Sequence, residues 1–360
     1  MPSTAEIAAY IRTEALALGF DLAGIAPARG LTELAYFPAW LEAGHGGEMR
    51  YLESRNERGE LKRAALENHA PWARSVVVCA INYNTSAPHS TEATDPERGW
   101  ISRYAWSQMD YHDAVLEKLR ALEARLVAHL AASGEEPPRT WCYVDTGPLV
   151  ERAFAARAGI GWIGKNTCVL NEEKGSWLFL ATMLTSLELA PGLPAEDRCG
   201  SCTRCIDACP TDALDEPYKM DATRCISYLT IEKRGEVALE LREGMGNHLF
   251  GCDICQDVCP WNRKAPVTAA AEFQPRTELV NPLLRWIADM KVEEFRGVFR
   301  GSPVKRAKLA GLRRNAAIAM GNSGDKKFVP QLERMAEDED RDVAEHARWA
   351  LKRLRAPESG

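Results

Sequence analysis

The chain has 360 residues, 46% hydrophobic and 27% charged, with no low-complexity tract, which excludes long disorder and gives material for two or three cored domains. A formal net charge of -6 excludes wholesale electrostatic adhesion to nucleic acid or anionic membrane but not a local basic patch. Eleven cysteines, with no signal peptide at the start and no run of the roughly 18 apolar residues that a spanning helix needs, predict a cytoplasmic, non-membrane protein whose thiols bind metal.

Ser3-Thr4-Ala5-Glu6 reads as a capping box before the apolar positions Ile7, Tyr10, Ile11 and Leu18, with Gly19 as the stop, and so predicts an opening helix. Ala23–Ala26 and Val76–Ile81 are short apolar runs, Tyr111–Ala132 has helical periodicity, and Trp141–Val144 and Trp177–Leu184 read as buried strands. This alternation predicts an α/β domain over residues 1–191. It carries no G-x-G-x-x-G and no Walker loop. Asp110-Tyr111-His112 begins the D-x-H-x-x-G pattern of proteins that ligate cobalt with histidine, but Val115 stands where its glycine belongs. Asp145 follows a predicted strand and reads either as a ligand-contacting group or as the N-cap of a helix near Pro148. The glycines of 159–164 read either as a close approach to a ligand or as a turn.

Residues 192–264 are dominated by cysteine. Cys199, Cys202, Cys205, Cys209 and Pro210 form C-x2-C-x2-C-x3-C-P, the run of two-cluster ferredoxins, whose fourth cysteine serves the other cluster. A second run has Cys252, Cys255, Cys259 and Pro260 but Leu249 at its first position, and Cys225 is the replacement. Two 4Fe-4S clusters are therefore expected, one on Cys199, Cys202, Cys205 and Cys259, the other on Cys209, Cys225, Cys252 and Cys255. Structural zinc is the alternative. Cys79, Cys142 and Cys168 read as buried apolar thiols.

Residues 265–360 are helical in pattern, with two weakly similar segments, Arg314–Gly321 and His346–Leu351, that predict a HEAT-like tail too short to stand alone. From Phe295 to Gly324 there is no acidic residue but seven basic ones: Arg296, Arg300, Lys305, Arg306, Lys308, Arg313 and Arg314. With Lys233 and Arg234 they form a candidate phosphate-binding patch, against the alternative of a solvated helix face.

Tyr143-Val144-Asp145-Thr146-Gly147-Pro148, Gly161-Trp162-Ile163-Gly164-Lys165-Asn166-Thr167, Cys225-Ile226-Ser227-Tyr228-Leu229-Thr230 and Gly251-Cys252-Asp253-Ile254-Cys255-Gln256, with the cysteine run, resemble the epoxyqueuosine reductase family over almost the whole chain. The resemblance implies an α/β cobalamin-binding domain, a ferredoxin-like two-cluster insert and an all-α HEAT-like C-terminal domain. It also implies base-off cobalamin without a protein histidine on cobalt. The implied activity is reduction of epoxyqueuosine to queuosine at wobble position 34 of a tRNA with a GUN-type anticodon, fed by an external electron donor. Asp145 would be the proton donor, with a raised pKa. Asp145, Ser227, Cys252, Asp253, Tyr104 and Arg63 would contact cobalamin, and Lys233, Arg234, Lys305, Arg306, Arg313 and Arg314 the tRNA. Nothing in the sequence requires more than a monomer. A cobalamin-dependent reductive dehalogenase and a two-cluster electron carrier are the competing readings.

Overall fold

The computed structural model describes residues 2–356. Helix α1 (Thr4–Ala17) starts as expected: the Ser3 hydroxyl accepts the Glu6 N–H while the Glu6 carboxylate accepts the Ser3 N–H. Two orphan donors of the first turn are thereby satisfied reciprocally.

There follow β1 (Leu22–Pro27), α2 (Tyr36–Glu42), β2 (Ser75–Asn82), β3 (Trp100–Ile101), α3 (Tyr111–Ala132), β4 (Thr140–Tyr143), α4 (Glu151–Arg157), β5 (Trp162–Ile163), β6 (Val169–Leu170) and β7 (Leu178–Thr185). The main sheet has the order β1-β2-β7-β4, and every neighbouring pair is antiparallel. Strands and helices do alternate, but the parallel pairing usual in α/β domains is absent. Parallel neighbours need a long crossover, usually a helix packed on the sheet, whereas the connection 28–74 between β1 and β2 holds only the seven-residue α2 and short single-turn helices. β2 is buried throughout because both faces are covered: Val77, Cys79 and Ile81 join the core of α1 and α3, while Val76, Val78 and Ala80 pack with Phe154 of α4. Double coverage explains its unbroken apolar run. β4, expected to be buried, is a half-buried sheet edge.

The cysteine-rich insert has α5 (Arg204–Asp207), α6 (Ile226–Ile231), α7 (Leu239–Arg242), β8 (His248–Phe250) and α8 (Ile254–Asp257). It is stitched to the first domain, since β8 pairs in parallel with β3. Residues after 264 also return to that domain: the Asn82 and Asn84 side chains donate to the Pro266 and Ala265 carbonyls, and Phe273 enters the core of α1 and α3.

The tail comprises α9 (Leu284–Asp289), α10 (Val292–Val298), α11 (Lys308–Asn322), α12 (Val329–Met335) and α13 (Arg341–Arg355). The two similar segments lie on α11 and α13, which cross so closely that a Cβ at Gly321 would sit 2.8 Å from that of Ala350. As expected of so short a tail, it leans on its neighbours, and Leu312, Ala316 and Met320 share a core with Trp100, Trp106, Leu249 and Phe250. No helix among the described residues is long and apolar enough to cross a membrane.

Arg314 corrects one expectation. It is 2% exposed, and its guanidinium donates to the carbonyls of Leu229 (2.7 Å), Lys233 (2.9 Å) and Gly235 (3.1 Å). Beside it, Asn315 donates to the carbonyls of Thr230 and Leu249. Arg314 thus pins the tail onto the insert and offers nothing to a phosphate. Arg314→Met should destabilise the protein by roughly 3 kcal/mol, because three buried carbonyls lose a charged donor. Urea denaturation checks this; an unchanged midpoint would refute the pinning role.

Candidate active site

The insert cysteines act on one another in the structure: Cys199 and Cys259 on Cys205, and Cys225 and Cys209 on Cys252. Burial and the neighbouring Cys259 and Cys199 push the Cys205 thiol up to about 11, and Cys259 is raised by burial and by Cys199 and Cys202. In the other set, burial with Cys225 and Cys209 raises Cys252, and Cys255 is raised by a hydrogen-bonded Cys168, burial, Cys252 and Cys225. Short helical turns aim backbone N–H groups at these sulfurs: Ile206 at Cys205, Ser227 and Tyr228 at Cys225, Ile254 at Cys252, and Trp261 at Cys259. Such donors favour thiolates and tune clusters. Of the remaining cysteines, Cys79 is a core thiol and Cys142 lies half-buried beside Glu123, whereas Cys168 sits against Cys255.

Asp145 lies two residues beyond β4. It is not an N-cap, because α4 begins only at Glu151 after Val150. Its backbone is left-handed (φ +55°), an uncommon state for a residue other than glycine. The turn is held from both sides. The Asp145 N–H donates to Glu151 Oε1 (2.9 Å), and Tyr111 Oη donates to Asp145 Oδ2 (2.7 Å). His112 Nε2 stands 3.8 Å from the same oxygen, while its Nδ1 bonds Asp110 Oδ1 at 2.7 Å. The Asp145 side chain remains 64% exposed. Glu151 is different: burial and the adjacent Asp145 raise it to about 8.

Arg63 and Tyr104 flank this turn. The Arg63 guanidinium donates to the carbonyls of Tyr51 (2.6 Å) and Gly147 (3.1 Å). The Tyr104 hydroxyl is held far up by burial, then by Asp145 and Asp253, and its ring meets Tyr111 on one side and Phe250 on the other. Tyr104 therefore links the Asp145 turn to the loop carrying Cys252. Ser227 is turned to Cys225, to which its N–H and hydroxyl donate. Asp253 corrects the sequence reading. It is 1% exposed, and its carboxylate accepts from Trp100 Nε1 (3.0 Å), Ser102 Oγ and the Arg103 N–H (2.8 Å). A carboxylate with three buried donors braces the cysteine loop against β3 and is unavailable to a ligand. The glycine run also reads as packing: a Cβ at Gly161 would meet the Leu170 carbonyl at 2.1 Å, and one at Gly164 the Leu170 side chain at 2.4 Å.

The basic residues divide. Arg306 pairs with Glu232 through two contacts of 2.9 Å and lies over the Tyr51 ring; Lys233 pairs with Glu48; Arg234 donates to the Arg306 carbonyl. Arg313 is tied to Asp338 and the Ala288 carbonyl. Arg296, Arg300, Lys305 and Lys308 are exposed and form no ion pair among the described residues. Lys305 and Arg306 border the Asp145 turn, since Lys305 acts on Asp110 and Asp145 acts on Arg306. Lys305 and Arg306 thus stand on the same side as the acid.

Sequence reasoning missed Tyr111, His112, Glu151 and Tyr51 as parts of the site. Asp110-Tyr111-His112 had been tested only as a cobalt-ligand pattern; both imidazole nitrogens face carboxylates instead. No local pattern marks Glu151.

An antiparallel three-layer domain that carries the exposed acid Asp145 and is joined to an insert of eight cysteines with ferredoxin-like spacing defines an iron–sulfur oxidoreductase. Residues 63–146 match the family model "Epoxyqueuosine reductase QueG, DUF1730", and residues 198–262 match "4Fe-4S double cluster binding domain". Epoxyqueuosine reductase of Pseudomonas aeruginosa is 39% identical over 358 residues, covering 98% of this chain and 96% of the relative. That of Escherichia coli is 36% identical, covering 96% and 89%. A crystal structure of selenomethionine-labelled epoxyqueuosine reductase superposes with a TM-score of 0.84 at 33% identity, over 96% of this chain and 90% of that one. Another, bound to an epoxyqueuosine-modified tRNA-Tyr stem loop, gives 0.83 at 33% identity, over 96% and 89%. The chain belongs to the epoxyqueuosine reductase family.

Proposed function

We propose that this protein reduces epoxyqueuosine to queuosine at the wobble position of tRNA, using base-off cobalamin and electrons relayed by two 4Fe-4S clusters. The observation that carries the reading is the Asp145 turn: an acid in a strained backbone, exposed toward the basic surface and joined to the second thiol set through Tyr104. Clusters suit the two thiol sets because backbone donors already face the sulfurs. Cobalamin would be held by the Asp145 turn and the Cys252 loop, with Tyr104, Arg63 and the Cys225–Ser227 turn bordering it. His112, engaged by Asp110 and Asp145, is no candidate for cobalt ligation.

Epoxide deoxygenation to alkene and water consumes two electrons and two protons. Bound cobalamin would supply a strongly reducing centre for opening the strained ring. Asp145 delivers the proton to the departing oxygen. Tyr111 and Glu151 fix the turn in register. The flipped wobble base would be read in the pocket, while phosphates meet Arg296, Arg300, Lys305 and Lys308. An external reductant, acting on a monomer in the cytoplasm, completes the scheme.

The test is anaerobic reconstitution with iron, sulfide and cobalamin, then mass analysis of nucleosides from tRNA carrying epoxyqueuosine. Queuosine formation that requires both cobalamin and reduced clusters is expected; clusters without corrin binding or conversion would leave a two-cluster electron carrier. For the surface, Arg300→Ala and Lys305→Ala should each lower the slope of log binding constant against log salt by about one. A slope equal to that of the wild type would remove these residues from the interface.

A further inference from the structure

The reaction takes two protons and Asp145 can hold only one. Whatever refills it must stand beside it: the Tyr111 hydroxyl does, at 2.7 Å, but burial and Asp145 hold it well above the ordinary phenol value, which leaves His112 as the ring able to give up a proton. His112 lies in the first turn of α3, with Nδ1 anchored by the N-cap Asp110 (2.7 Å) and Nε2 directed at Asp145 Oδ2 from 3.8 Å. The remaining gap is closed by a small rotation of the exposed Asp145 side chain, and such contacts are commonly long before substrate binds. The imidazole is 31% exposed, so its outer edge still reaches solvent.

We propose that His112 is the proton relay of Asp145, a positioning residue that restores the carboxylic acid within each turnover; this rests on the epoxyqueuosine-reducing function above. In the first step, Asp145 gives its proton to the epoxide oxygen as the C–O bond opens, and becomes a carboxylate. His112 then passes its Nε2 proton to Asp145 Oδ2 and becomes neutral imidazole, still held through Nδ1–H on Asp110. The refilled Asp145 protonates the hydroxyl as it leaves as water, and solvent recharges His112. The two electrons come from the reductant of the established reaction, so the sum is epoxide, two electrons and two protons to alkene and water.

Two features argue against an inert packing histidine. A cation in the first turn of a helix is opposed by the helix dipole, and a neutral residue would pack there at less cost. Yet the site is built to keep the ring charged: burial opposes the charge, but hydrogen bonds to Asp110 and Asp145 overcome it and hold the imidazolium up to about 9. The sign follows. The imidazolium is present at neutral pH and below, and it is lost as pH rises through about 9. The groups facing it are Asp110 and Tyr111 on α3, Asp145 with Glu151 behind it, and Lys305 and Arg306 from the segment before α11.

The test uses the reconstituted enzyme in single turnover between pH 6 and 10, with His112→Gln, His112→Gly and Asp110→Asn. Expected results are a wild-type alkaline limb near 9 and a loss of roughly 10- to 100-fold in His112→Gln. Partial rescue of His112→Gly by added imidazole should be stronger at pH 6.5 than at 8.5. In cluster-loaded protein without cobalamin or tRNA, the His112 ring should titrate near 9 by NMR, and lower in Asp110→Asn. The relay is overturned if His112→Gln matches the wild type at every pH, or if its loss is pH-independent and imidazole does not rescue. Wild-type enzyme that converts no epoxyqueuosine would instead overturn the function itself, and the relay with it.

Discussion

Cys225→Ala is expected to leave about four irons per chain where the wild type holds about eight, and to abolish turnover. The prediction turns on a departure from the regular ferredoxin run. The second run has Leu249 where its first cysteine belongs, and Leu249 is fully buried in the core shared by β3 and the tail helices, so no repair by a neighbouring residue of β8 is possible. Cys225 stands at the start of α6, close enough to Cys209 and Cys252 to act on both, and the Ser227 and Tyr228 N–H groups donate to its sulfur. An alanine there removes the ligand and strands two donors. Cys168 is the one rival, since it touches Cys255. Iron and sulfide analysis of Cys225→Ala, Cys168→Ala and Cys142→Ala decides: only the first should lose a cluster. Eight irons in Cys225→Ala, or four in Cys168→Ala, would overturn the ligand set.

The parts of this site that were legible in the sequence are those whose chemistry is local. C-x2-C-x2-C-x3-C-P states its own geometry, and Ser3 with Glu6 states a helix start, because partners three residues apart must meet. For the missing ligand, counting points to Cys225, the one cysteine between the runs. What was not legible depends on partners far along the chain. Asp253 sits between two cluster ligands and reads as a contact, but Trp100, Ser102 and Arg103 reach it from across the fold. Arg314 belongs to a basic run, yet three carbonyls of the insert decide that it faces inward. His112 is invisible as a neighbour of Asp145 until β4 and α3 are packed. The antiparallel sheet escaped for the same reason, because strand direction is set by long connections without a periodic signature.

Asp145→Asn should retain both clusters, cobalamin and tRNA binding while lowering the single-turnover rate by roughly 10²- to 10³-fold. Asparagine is the substitution that isolates the proton. It has the same shape, tolerates the left-handed backbone that Asp145 occupies, keeps an oxygen for the Tyr111 hydroxyl, and leaves the N–H on Glu151. Asp145→Ala is less clean, since a Cβ without a polar group in that backbone region costs about 1 kcal/mol and the turn could shift. Rates for Asp145→Asn should therefore be read with tRNA affinity. A lost rate with unchanged affinity assigns the proton to Asp145, whereas loss of affinity in proportion would assign it only the shape of the turn. Glu151→Gln supplies the converse case. It keeps the acceptor for the Asp145 N–H and mimics the neutral carboxyl that burial and Asp145 favour at neutral pH, so it should hold the turn and leave the rate within about threefold of the wild type, well short of the effect of general-acid removal.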